Sequence, residues 1–187
     1  MAIQIGAAAP DFHLPSAQGP EIALGDFRGR RHVIIWFTKG LACPFCRRQV
    51  VQLAGAAGQI RGLETEILLV ASTPPERAQV YHRRFSLPFL YLCDPAHGVA
   101  RSWGLEVRPH SARRFLRGRG AVAGATPFDA AHPTPGEFQE LLLDDDAGFF
   151  IVDRGGIVRY AIAGSYYSKA WQVPTNETLL TELRKLG

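Results

Sequence analysis

Cys43-Pro44-Phe45-Cys46 places two thiols three positions apart. Sulfurs at that spacing share one side of a helical first turn and can close a disulfide with little backbone change. The pair stands between an apolar run, Val33-Ile34-Ile35-Trp36-Phe37, and an amphipathic stretch from Arg47 to Ile60. That junction predicts a buried strand giving way to a helix, with Cys43 at the helix tip and Pro44 at its first position. Only a thiolate attacks. A free thiol, with a pKa of about 8.5, becomes reactive where a helix N-terminus, a nearby cation or a Cys-x-x-Cys setting lowers it. Cys43 is therefore expected to be ionised and attacking, with Cys46 behind it. Lys39, Arg47 and Arg48 either add positive potential to Cys43 or form a solvated basic collar.

Such a pair supports two reactions. A peroxide would convert Cys43 to a sulfenic acid, which Cys46 would condense with to give a disulfide. A partner's disulfide would instead be opened by Cys43, and Cys46 would resolve the mixed disulfide. The groups around Cys43 decide between them. Thr38 is a candidate hydroxyl close to the pair, and Trp36 reads as core or pocket wall. Inert buried thiols and half of a zinc site are the competing readings. A second half-site would need Cys93 or scattered histidines, and no such spacing occurs, so neither a metal nor a cofactor is expected. Cys93 ends an apolar run and reads as a small core hydrophobe. Tyr166, Tyr167 and Trp171 read as a packed loop, and Asp144-Asp145-Asp146 as a solvated helix end.

The elements that must position these residues follow from periodicity. Asp11–Leu14 and Glu21–Leu24 flank a Pro/Gly-containing turn and read as a hairpin. Cys46, Val50, Leu53, Ala57 and Ile60 form one helical stripe, putting Cys46 on the core side. Glu66–Ala71 and Pro88–Cys93 read as buried strands, and Pro75 to about Arg84 as a helix. A short helix spans His97–Trp103. Residues 106–146 are too long for a routine connection and read as an insertion or lid, with a helix over Pro135–Leu143. Phe149–Val152 and Ile157–Ile162 flank Asp153-Arg154-Gly155-Gly156, a strong hairpin signal, and a last helix covers Leu179–Leu186. The alternation predicts an α/β fold: a mixed central sheet flanked by helices, one domain over 1–187.

The bulk numbers agree. The 187 residues are 47% hydrophobic and 20% charged, the balance of a globular domain with a real core. No span is apolar enough for a membrane helix, and the N-terminus carries no basic and apolar leader pattern. Three cysteines do not make a disulfide framework. A cytoplasmic location is expected, with any disulfide transient. The net charge of +4 is concentrated in arginines from Arg101 to Arg119, which face only Glu106. With little aromatic interleaving, this reads as a solvated basic loop rather than a nucleic-acid surface.

The element order, with Cys-x-x-Cys after the first buried strand, resembles the thioredoxin fold. The N-terminal hairpin, Asp94-Pro95 after the third strand, and Phe150-Ile151-Val152-Asp153-Arg154-Gly155-Gly156 are similar to the peroxiredoxin branch, the alkyl hydroperoxide reductase and thiol-specific antioxidant family. Trp36 to Cys46 resembles peroxiredoxin-like proteins whose active loop carries Cys-Pro-aromatic-Cys. The resemblance covers 7–105 and 148–186. It implies a hydroperoxide substrate, Cys43 attacking, Cys46 resolving, a thioredoxin-like reductant and scope for a homodimer. Family members place Thr or Ser three positions before the attacking Cys, Pro seven before, and Arg shortly before the last hairpin. Here Gly40, Trp36 and Ala147 stand there, which implies a slow peroxidase. A thioredoxin-like thiol–disulfide oxidoreductase is the alternative, and a non-catalytic redox sensor or binding module the third reading.

Overall fold

The computed structural model describes residues 3–109, 143–165 and 173–187. The first hairpin is short: β1 (His13–Leu14) pairs antiparallel with β2 (Ile22–Ala23), followed by a 3-10 turn over Leu24–Phe27. The chain then alternates through β3 (His32–Thr38), α1 (Pro44–Gly62), β4 (Thr65–Ala71), α2 (Pro75–Phe85), β5 (Leu90–Cys93) and α3 (Gly98–Ser102). β6 (Val107–Pro109), β7 (Leu143–Val152), β8 (Val158–Ser165) and α4 (Asn176–Arg184) complete it. The sheet runs β5-β4-β3-β7-β6, with β8 on the other side of β7. β3, β4 and β5 are parallel; β7 runs antiparallel to β3, and β8 antiparallel to β7. This is the expected mixed α/β architecture.

β3 explains the layering. All seven of its residues are buried, because alternate side chains serve two cores on opposite faces. Ile34 and Trp36 join Val50, Leu53 and Ile60 of α1, Tyr81 of α2, and Leu179 and Leu183 of α4. Val33, Ile35 and Phe37 join Phe12, Leu14, Trp103 and Phe150 on the other face. The predicted stripe of α1, Cys46 through Ile60, is buried throughout.

The last hairpin is fixed by its turn. The Asp153 carboxylate accepts from the Ile157 N–H at 2.9 Å and from Arg159 Nε at 2.6 Å, and Gly156 adopts φ +80°. Thr175 caps α4, its hydroxyl accepting from Thr178 N–H at 3.1 Å.

One expectation is overturned. Asp144-Asp145-Asp146 is not a helix end; it lies within β7, where Val107 pairs with Asp145 and Arg108 with Asp144. Arg108 also bonds Asp146 at 2.6 Å, so Glu106 is not its only acidic neighbour. The ends of the predicted insertion are therefore strands of the main sheet, and Leu143 begins β7 rather than closing a helix. The rest of the helix read over 135–143, and Tyr166, Tyr167 and Trp171, lie outside the described residues. No helix among the described residues is long and apolar enough to cross a membrane.

Candidate active site

β3 ends at Thr38, and the chain must turn within a few residues to start α1. Gly40 makes that turn at φ +81°, in the left-handed region that glycine enters without cost. Cys43, extended at φ −77°, is the N-cap of α1, and Pro44 follows as its first residue. The Cys43 N–H donates to Gly40 O at 3.2 Å, closing the turn.

The two thiols meet as the spacing predicts. Both are free, and the Cys46 side chain hydrogen-bonds Cys43. Their environment differs from the expectation of an ionised sulfur at an open helix mouth. Cys43 is 5% exposed and Cys46 0%. The Cys46 sulfhydryl and burial together raise the Cys43 pKa well above the usual thiol range, against the opposing pull of the Cys46 and Phe45 backbone amides. Two sulfurs in contact do not both ionise readily, and burial disfavours the charged form of either. The helix start does favour the thiolate, but it is outweighed. Between the two cysteines Phe45 stands 36% exposed.

The supporting residues separate. Arg47 is no solvated collar: it is buried, its Nε donates to Leu41 O at 2.5 Å and its terminal nitrogen to Ala42 O at 3.2 Å. It holds the turn by its carbonyls. Lys39 is buried in the same turn, whereas Arg48 is exposed. Trp36 is core, 0% exposed and stacked on Phe149 with ring centroids 5.0 Å apart. Thr38 is the last residue of β3 and is buried. It lines a cavity of about 20 Å³, room for one water, together with Ser72, Asp94 and Asp145, and neither cysteine lines it.

The residues that sequence reasoning missed lie under the turn. Thr73 Oγ1 sits 2.3 Å from where a Cβ on residue 40 would stand, so the family's Thr or Ser has no room there. The Tyr91 hydroxyl donates to Thr73 Oγ1 at 2.7 Å and bonds the Leu41 backbone. A tyrosine inside the apolar run Leu90-Tyr91-Leu92 is the available signal, since a buried phenol needs a partner. Ala147 is buried in β7 opposite Gly164. Cys93 is fully buried in the core beside Tyr91, its thiol pushed up to about 11 by burial and then by Glu76. No cluster of potential metal ligands occurs among the described residues.

Comparison with known proteins bears on what such a site does. The profile of the AhpC/TSA family matches residues 5–161. A putative peroxiredoxin of Mycobacterium tuberculosis is 31% identical over 99 residues, 53% of this chain and 62% of that protein. Peroxiredoxin Bcp of Escherichia coli is 26% identical over 103 residues, 55% of this chain and 65% of the relative. The match thus spans less than two thirds of either relative's length. Among solved structures, peroxidoxin BcpB of Mycobacterium tuberculosis superposes with a TM-score of 0.69 at 16% identity, covering 99% of both chains. A PrxQ of Xylella fastidiosa gives 0.72 at 10% identity, covering 99% of this chain and 98% of that one. These structural likenesses show the fold, a thioredoxin fold of the peroxiredoxin type.

Proposed function

The chain belongs to the AhpC/TSA family, and from that premise we propose that it is a thiol peroxidase that reduces hydroperoxides through a Cys43–Cys46 dithiol/disulfide cycle. The Cys43 thiolate attacks the terminal peroxide oxygen, the O–O bond breaks, and the alcohol or water leaves with a proton. Cys43 is now a sulfenic acid. The Cys46 sulfur attacks it, water leaves, and the disulfide forms within the first turn of α1. An external dithiol of the thioredoxin type returns both electrons by exchange. The observation that carries this reading is the contact of the two sulfurs at the N-terminus of α1, where a resolving thiol already touches the attacking one.

The test is peroxide consumption by the reduced chain. Cys43→Ser should abolish it. Cys46→Ser should still consume one equivalent and leave a sulfenic acid that a dimedone probe labels on Cys43. Because the Cys43 pKa is raised, the rate should climb about tenfold per pH unit through neutrality, with no plateau at the ordinary thiol value. Unchanged consumption by Cys43→Ser would refute the assignment. Rapid insulin reduction without peroxide turnover would favour the disulfide oxidoreductase instead.

A further inference from the structure

The turn carrying Cys43 rests on two hydroxyls from distant strands. Tyr91, in the middle of β5, is 0% exposed. Its hydroxyl bonds the Leu41 backbone amide and donates to Thr73 Oγ1 at 2.7 Å. Thr73 follows β4 and is itself buried. Gly40 is pressed onto the pair: a Cβ there would lie 2.3 Å from Thr73 Oγ1 and 3.2 Å from the Tyr91 hydroxyl. From the helix side, Arg47 takes Leu41 O and Ala42 O. The Leu41 residue is thus gripped at both its N–H and its C=O, and the neighbouring Gly40 O receives the Cys43 N–H. Tyr91 is placed in turn by Gln18, whose Oε1 accepts the Tyr91 N–H at 3.3 Å.

We propose that the Tyr91–Thr73 hydroxyl pair is a clamp that holds the Cys43 turn shut over its thiols, making Tyr91 and Thr73 positioning residues that set how often Cys43 meets a reagent. Unmet hydrogen bonds are what would open the turn. Without the Tyr91 oxygen, the Leu41 N–H is buried with no acceptor, and a buried unsatisfied donor is costly. Lifting the turn into water relieves that cost. Both sulfurs are covered in the closed state, so lifting is also what exposes them. Burial keeps the Tyr91 proton in place far above the usual phenol range, so the donation to Thr73 holds at every working pH. The proposal rests on the peroxidase reading only in naming what the clamp controls.

Alkylation of the reduced full chain by iodoacetamide at fixed pH tests it, with the adduct located on Cys43 by peptide fragmentation. Tyr91→Phe and Thr73→Val should each accelerate Cys43 labelling roughly tenfold, the shift expected from one unsatisfied buried donor. Thr73→Ser keeps the oxygen and should label at the wild-type rate. Tyr81→Phe removes another buried phenol, one that accepts from Arg77 at 3.3 Å, and should leave the labelling rate unmoved. Wild-type labelling of Tyr91→Phe would overturn the clamp, as would equal acceleration by Tyr81→Phe. Should Tyr91→Phe fail to fold, the contrast of Thr73→Val with Thr73→Ser decides alone. No peroxide enters the measurement, so a chain with no peroxidase activity would still answer it.

Discussion

Two titratable groups of this chain are held neutral at opposite ends of β3, Cys43 by the Cys46 sulfhydryl together with burial and His32 by burial. Beyond the strand's C-terminal end lies Cys43, whose ionisation is suppressed. At its N-terminal end lies His32, 5% exposed, with neither ring nitrogen hydrogen-bonded among the described residues. Burial lowers the His32 pKa below 6.5, and Arg154 adds to the effect; Asp153 and Glu64 oppose it. A histidine lowered on folding takes up its proton more readily in the unfolded chain, so the unfolded state binds more protons below the ordinary value. Stability supplied by neutral His32 is therefore complete above 6.5 and drains as pH falls from there toward the folded pKa. Asp153 acts in a separate, lower window. Burial pushes its carboxyl up, but bonds from Ile157 and Arg159 carry it below 3.8, so its contribution is lost only as pH falls further. Urea midpoints across the acid range should show a first decline beginning near pH 6.5, absent in His32→Leu. An identical first decline in that variant would remove His32 as the cause. The meeting of the two thiols was legible in their spacing, but the suppressed ionisation of Cys43 was not. The burial of Cys43 depends on Tyr91 and Thr73, and no pattern local to Cys43 reports them.

At the scale of elements, α1 carries an imbalance that its sequence pattern hides. The apolar stripe predicts the helix and its buried face, yet Gly55 and Gly58 lie within it on the exposed side. A Cβ at either position would meet nothing within 4 Å. Glycine in a helix interior forfeits stability through its unfolded-state freedom, so Gly55→Ala and Gly58→Ala should each stabilise the protein by about 0.5–1 kcal/mol, read as raised urea midpoints. Gly40→Ala should do the reverse, because its φ of +81° disfavours any side chain and Thr73 Oγ1 occupies the Cβ position. Equal effects at all three sites would contradict the conformational argument. The strands were legible where apolar alternation or runs mark them, as in β3, β4 and the second half of β7. The first half of β7 was not. Asp144-Asp145-Asp146 has no strand pattern; it is drawn into the sheet by pairing with β6, far back in sequence, and with β8. Partner strands, rather than intrinsic preference, decide such segments.

For the molecule as a whole, the sheet is a partition shared by two cores, and its edges are closed by the N-terminal segment. Ser16 bridges Leu92, the Ala17 N–H donates to Tyr91 O and the Cys93 N–H to Pro15 O, covering the free edge of β5. Near the other edge, the Gly6 N–H donates to Val158 O and the Val158 N–H to Ala7 O at the start of β8. One segment thus ties both sides of the sheet, and each inner strand contributes side chains to both faces. Such an arrangement should lose its structure as a unit. Each face carries a buried tryptophan that reports on it: Trp36 against Phe149 on the α1 side, and Trp103 against Phe150 on the other, with ring centroids 4.9 Å apart. Phe150 is fully buried and also meets Phe37 edge-on at 5.9 Å. Phe150→Ala should therefore cost about 3–5 kcal/mol, the range for emptying an aromatic site. If the two cores are one cooperative body, Phe150→Ala lowers the stability of single-tryptophan variants that keep Trp36 or Trp103 by the same amount, each measured against its own background. A Trp36 transition that stays in place while the Trp103 transition falls would mean that the face carrying the cysteines folds by itself. The sheet would then be a seam between two units rather than the wall they share.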